Sequence, residues 1–207
     1  MDNKITKGKI LAGALLILAS IGFFMSWYLM PDPGTTDTIH ILNIVKQARI
    51  SVHSSVIIQI VSSVLYMVAL ALITQIGFPL KKITLVGVCF LGVGVLGLCS
   101  DAFFHLLAWF MTDDSVNIQK DVIRVMDFMQ TGGVVFLIPL LLPFFIGSLL
   151  MAIGFSKQGL VSKTSGLIIS AAFLIGVAIT ISAKLGIYHG SIPMLTSHAS
   201  IPGRWTR

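Results

Sequence analysis

Asp101 and His105 are the two residues whose types and spacing suggest chemistry in this sequence. They lie four positions apart within residues 83–112, a long run that is otherwise free of charged side chains. Residues four apart share one face of a helix, so the carboxylate and the imidazole lie side by side. Such groups are costly in hydrocarbon and usually mark proton relays or ligand sites. The pair therefore predicts either a proton-exchanging site or part of a metal site.

The metal interpretation needs further ligands. An Asp-x3-His spacing supplies one oxygen and one nitrogen, and two ligands leave a metal ion incompletely coordinated. His53, Asp127 or His189 could complete the set, because each is predicted near the same membrane boundary. The sequence has no CxxC motif and no nucleophile-elbow, P-loop or dinucleotide-binding signature. We therefore predict no cofactor, and Asp101 and His105 remain weak candidates for metal ligands.

Composition places the pair in a membrane protein. The chain has 207 residues, of which 56% are hydrophobic and 11% are charged. Soluble proteins carry about 25% charged residues, so these values predict an all-α integral membrane protein with one domain, residues 1–207. The basic residues are scattered near the ends of the apolar runs. This distribution favours contact with lipid headgroups and excludes nucleic acid as the predicted partner.

Apolar runs and breaks between them predict a bundle of five transmembrane helices. The spans are about 10–30, 54–78, 83–112, 125–155 and 165–188, with an amphipathic approach helix at 35–53 and a polar tail at 189–207. The first run is about 20 residues, longer than the 7–15 of a signal peptide core, so we expect it to be retained. Pro139 and Pro143 predict a kink in the fourth span.

The distribution of lysines predicts the orientation. Five spans place seven lysines on the side of the N-terminus, at positions 4, 7, 9, 81, 82, 157 and 163. Cytoplasmic loops are enriched in basic residues. We therefore expect a cytoplasmic N-terminus, an outside C-terminal tail and a location in the cell membrane.

The short connection after residue 78 predicts the neighbours of Asp101. A tight antiparallel hairpin between the second and third spans would put residues whose numbers sum to about 160 at equal depth. Gln59 then lies opposite Asp101, and Ser55 lies opposite His105. On the fifth span, Lys184 could pair with Asp101 or extend to headgroups. The predicted polar cluster near the outer leaflet comprises Ser55, Gln59, Ser62, Asp101, His105 and Lys184.

Two classes of function fit this pattern. The first is a non-enzymatic membrane component, such as an accessory subunit, a sensor or a permease-like protein, whose polar cluster packs the bundle or passes a proton. The alternative is an intramembrane enzyme with a metal or acid/base centre at Asp101 and His105. Five spans without an internal repeat disfavour a stand-alone transporter. The expected partners are the lipid bilayer and either other membrane subunits or a second copy of the chain.

Overall fold

The computed structural model describes residues 2–31, 37–75, 80–116, 120–159, 161–162 and 164, which are helical with short connections and contain no strand. All of them belong to one compact unit. The helices are α1 (Asp2–Leu29), α2 (Thr38–Gln47), α3 (Arg49–Gln75), α4 (Lys82–Met111), α5 (Lys120–Phe128) and α6 (Val134–Lys157), with a π-helical segment, Met129–Gly133, between α5 and α6.

Four helices in these ranges are long and apolar enough to cross a membrane. They are Lys7–Leu29, Arg49–Gln75, Lys82–Met111 and Val135–Lys157. The prediction of an all-α chain is confirmed, and the four apolar helices suggest a membrane location. The fifth predicted span, 165–188, and the tail, 189–207, lie outside the described residues.

The predicted approach helix, 35–53, is divided between two helices in the structure. Helix α2 ends at Gln47, the Ala48 N–H donates to the Ile44 carbonyl, and α3 begins at Arg49. The second apolar helix therefore begins earlier than the predicted position 54. It accommodates Arg49 because the guanidinium contacts the far end of α4.

The predicted fourth span, 125–155, falls within one continuous helical stretch, because α5, the π-helical segment and α6 follow one another without a break from Lys120 to Lys157. The part that is long and apolar enough to cross a membrane is Val135–Lys157. Asp127 and Gln130 lie before that part, and both bond to Thr38 of α2. Helix α6 runs through Pro139 and Pro143 without ending at either residue.

Helices α4 and α6 approach each other at the level of their backbones. A Cβ atom added to Gly94 would overlap the backbone of Phe144, and one added to Gly97 would overlap the backbone of Leu140. Gly147 of α6 meets the backbone of Leu91 in the same way. Small residues permit this close approach between apolar helices. The glycine face of α4 is therefore its contact with α6.

Phe144 connects this helix pair to the other two long helices. It is 3% exposed, and its ring lies 5.5 Å from that of Phe23 in α1 and 5.6 Å from that of Tyr66 in α3. Antiparallel contacts align the helices, since Ser55 of α3 meets Ser26 of α1 and Gln59 meets Leu98 of α4. The starts of α1 and α4 and the ends of α3 and α6 consequently lie at one end of the bundle.

The short helices α2 and α5 form a cap over the opposite end. Asp37 begins α2 by accepting hydrogen bonds from the N–H groups of Ile39, at 2.8 Å, and His40, at 3.1 Å. The buried faces of the cap meet the last turns of α4 in a second apolar cluster, which comprises Leu42, Ala108, Met111, Met126 and Met129. We call this the cap end and the opposite one the lysine end, after Lys7, Lys81, Lys82 and Lys157.

We predict that Gly94→Ala destabilises the protein while Gly92→Ala does not. The added methyl group at position 94 overlaps the Phe144 backbone, whereas no atom lies within 4 Å of a Cβ at position 92. Overpacking of this kind costs about 1–3 kcal/mol. Thermal or denaturant unfolding of the two purified variants in the same detergent measures the difference. Equal stability of the two variants would contradict the close approach of α4 and α6.

Candidate functional site

Gln59 and Asp101 form the centre of the candidate site. The Gln59 side-chain amide, Nε2, donates to the Leu98 carbonyl at 3.0 Å and to Asp101 Oδ2 at 3.0 Å. Gln59 is 1% exposed, and the Asp101 side chain is 20% exposed. The structure thus brings together the two residues that the hairpin register places at equal depth. The Gln59 amide thus donates one hydrogen bond to a carbonyl and one to a carboxylate within the bundle.

His105 meets the same carboxylate oxygen from the next turn of α4. Its Nε2 lies 3.5 Å from Asp101 Oδ2, and its side chain is 36% exposed. The exposed fraction therefore increases from Gln59 through Asp101 to His105. A proton that reaches the imidazole from outside the bundle has the carboxylate as its neighbouring acceptor. The geometry permits proton exchange between the two groups without a third residue.

The two serines of the predicted cluster face a different helix. Ser55 is fully buried, and its Oγ donates to the Ser26 carbonyl of α1 at 2.6 Å instead of lying against His105. Ser62 packs against Gly22, also of α1. Helix α3 lies between α1 and α4, so its polar stripe serves two neighbours. The sequence prediction considered only the hairpin partner, α4, and therefore did not include the contacts of the two serines with α1.

Lys184, the sixth predicted member, lies outside the described residues, as does His189. The other two residues considered as additional ligands are used elsewhere. His53 stacks on Trp109 with ring centroids 4.7 Å apart, and Asp127 accepts a hydrogen bond from Thr38. Within the part of the chain that the structure describes, no three His, Cys, Asp or Glu residues group as metal ligands would.

The sequence did not predict the contacts that Arg49 makes with Trp109 and Asp113 at the cap end, which we call the clamp. The Arg49 guanidinium lies 4.3 Å from the Trp109 ring centroid, donates to the Trp109 carbonyl at 3.2 Å and forms a 2.7 Å ion pair with Asp113. Arg49 and His53 are four residues apart on α3, so both side chains reach Trp109 from one helix face. The sequence signal for these contacts was the four-residue spacing of Arg49 and His53, together with Trp109 one turn beyond His105.

A second polar network joins the two helices of the cap. Thr38 of α2 donates to the Asp127 carboxylate, and Gln130 Nε2 donates to Thr38 Oγ1 at 3.0 Å. Thr38 is buried at 7% exposure. These bonds join α2 to the helical stretch that leads into α6.

Asp113 is the acidic partner of the clamp. Hydrogen bonds from the Ser115 hydroxyl and backbone N–H, with the nearby Arg49 guanidinium, hold the pKa of Asp113 below its usual value. A lowered pKa means that the folded protein favours the charged carboxylate. The resulting stabilisation is present above the ordinary Asp pKa and is lost as the pH falls through the lowered one.

Comparisons with known proteins found no match for this chain. The chain matches no protein-family model, no curated protein and no solved structure. The class that the fold defines is therefore a helical protein whose four long apolar helices suggest a membrane location.

We expect Gln59 and Asp101 to be energetically coupled. A double-mutant cycle with Gln59→Ala and Asp101→Ala should give a coupling of about 0.6–1.7 kcal/mol, the range found for hydrogen bonds between membrane helices. The matched control is Ser100→Ala, because the Ser100 hydroxyl donates to Leu96 of its own helix. A cycle between Gln59 and Ser100 should give coupling near zero. Equal values in the two cycles would contradict a direct contact.

We also expect acid destabilisation to depend on Asp113. The wild-type protein should lose stability as the pH falls through the lowered pKa of Asp113. The Asp113→Asn variant has no carboxylate at this position, so it should lack this stabilisation at every pH. Ser115→Ala removes a donor to the carboxylate and should move this loss to higher pH. Unfolding temperatures measured from pH 6 to acid conditions test both variants. Parallel curves for wild type and Asp113→Asn would exclude a contribution from this carboxylate.

Proposed function

We propose that the protein is a non-enzymatic component of the cell membrane in which Asp101 and His105 exchange a proton. Accessory subunits, sensors and permease-like proteins belong to this class. The observation that carries the proposal is the shared carboxylate oxygen, which lies 3.0 Å from Gln59 Nε2 and 3.5 Å from His105 Nε2. Ionisable groups within apolar helices mark functional sites more often than packing contacts do.

The environment of each group supports a role in proton exchange. His105 is the more accessible residue and can receive a proton, and its imidazole lies beside a negatively charged acceptor. Gln59 is buried behind Asp101 and donates to the carboxylate. An amide donor stabilises the charged carboxylate, and a protonated imidazole does so more strongly. The protonation state of His105 therefore changes the electrostatic balance at Asp101 and at the helix interface behind it.

The proposed setting is the one predicted from the sequence. The N-terminus would face the cytoplasm, and the cap end, with the polar cluster near it, would face the outside. A fifth span at residues 165–188 would complete the bundle, and Lys184 would reach the depth of Asp101. The proposed partners are the lipid bilayer and either other membrane subunits or a second copy of this chain.

The alternative function, an intramembrane enzyme, requires Asp101 and His105 to form a metal or acid/base centre. Two side chains provide one oxygen and one nitrogen ligand, fewer than metal sites use. His53 stacks on Trp109 and Asp127 bonds to Thr38, and among the described residues no three His, Cys, Asp or Glu side chains group as metal ligands would. Proton exchange needs only the two groups present, so the geometry favours it.

We predict that the response of the protein to acidification requires both Asp101 and His105. The NMR signal of the Gln59 side-chain amide, which donates to Asp101 Oδ2, should move when the pH around the wild-type protein in lipid nanodiscs is lowered. This movement should be smaller in both Asp101→Asn and His105→Gln. His40→Gln, a substitution in α2, is the matched control and should respond as the wild type does.

The same preparations distinguish the alternatives. A movement of the Gln59 amide signal that Asp101→Asn and His105→Gln leave unchanged would contradict proton exchange and reduce the pair to a packing role. Stoichiometric zinc, copper or iron in the purified wild-type protein, lost in Asp101→Ala, would instead support the enzyme. The comparison requires that the variants remain folded, which circular dichroism and size-exclusion chromatography in the same lipid establish.

A further inference from the structure

The lysine end carries positive charge drawn from three separate helices. Antiparallel packing brings together Lys7 at the start of α1, Lys81 and Lys82 at the start of α4, and Lys157 at the end of α6, and all four are exposed. The chain has eight acidic residues, and all except Asp2 lie between positions 32 and 127. Of these, Asp37, Asp113, Asp114, Asp121 and Asp127 lie at or near the cap end. The charge at the lysine end is thus strongly one-sided.

Two contacts join the helix ends that carry three of these lysines. The Lys81 ammonium group donates to the Lys157 carbonyl at 2.9 Å, and Thr84 Oγ1 donates to the Gln158 side-chain oxygen at 3.0 Å. Thr84 is fully buried, so the start of α4 is anchored against the end of α6. Lys81, Lys82 and Lys157 form what we call the lysine cluster. It joins residues that are about 75 positions apart in sequence.

Basic residues at the cap end are in a different situation. Lys46 forms a 2.8 Å ion pair with Asp114, and Arg49 forms one of 2.7 Å with Asp113. Converging like charges repel one another unless a counter-ion lies between them. At the cap end the chain supplies its own carboxylates. At the lysine end the described helices carry one acidic residue, Asp2 at the start of α1, against the four exposed lysines.

We propose that the lysine cluster binds the headgroup of an anionic phospholipid. Its residues stand at the ends of two apolar helices that are long enough to cross a membrane, which is the depth at which lipid phosphates lie. Lysine ammonium groups are compact charges suited to phosphate oxygens. Each lysine near an anionic surface strengthens binding about fivefold. This proposal is independent of the polar cluster near the cap end.

Native mass spectrometry of the full chain tests the proposal, with phosphatidylglycerol and phosphatidylcholine offered in equal amounts. Wild-type protein should retain phosphatidylglycerol preferentially, and each of Lys81→Gln, Lys82→Gln and Lys157→Gln should weaken that binding about fivefold. The matched control is the triple variant Lys46→Gln, Lys120→Gln, Arg124→Gln, which removes the same charge from the cap end. It should bind phosphatidylglycerol as the wild type does.

A charge-preserving variant separates binding from folding. Lys81→Arg combined with Lys82→Arg and Lys157→Arg should keep the lipid preference, while the corresponding triple glutamine variant should lose it. An equal loss in the arginine and glutamine triples would overturn the proposal, because charge would not be the cause. So would a glutamine triple that retains the preference, or a control triple that loses it to the same extent.

Discussion

The close contact between the backbones of α4 and α6 is the constraint on which the rest of the structure depends. Apolar helices in lipid gain little from burying apolar surface, so their association relies on tight packing. Glycines 87, 94, 97 and 147 provide it by leaving no side chain between the two backbones. Phe144 then lies deep enough to contact Phe23 and Tyr66, which connects α1 and α3 to the pair. Each long helix is positioned through this contact.

Asp101 follows Gly94 and Gly97 on the same face of α4, so the polar contact with α3 lies next to the contact with α6. Gln59 occupies that face and bonds to both Leu98 and Asp101. The hydroxyl groups of α3 turn the other way, where Ser51 and Ser55 donate to carbonyls near the end of α1. Polar groups in apolar surroundings require partners within the bundle. Helix α3 therefore holds α1 with hydroxyl groups, and it holds α4 with the Gln59 amide and, nearer the cap end, with Arg49 and His53.

The long apolar helices and the depth of Gln59 relative to Asp101 could be predicted, because apolar run length and a short connection determine both. The partners of Ser55 and Ser62 could not, since helical periodicity defines the faces of a helix but not which neighbour each face meets. The cap was missed for a related reason. Residues 120–133 continue into an apolar run, and their contact with α2, through the bonds from Thr38 to Asp127 and from Gln130 to Thr38, joins residues about 90 positions apart that no local pattern connects.

The cap and the polar cluster are physically connected through the last turns of α4. Trp109 lies one turn beyond His105, and Arg49 holds it through its ring, its carbonyl and the adjacent Asp113. Thr112, which is 1% exposed, lies in the same contact. These contacts hold the last turn of α4, and His105 and Asp101 lie in the turns that precede it. Arg49 and Asp113 therefore support the geometry of the pair, although neither belongs to it.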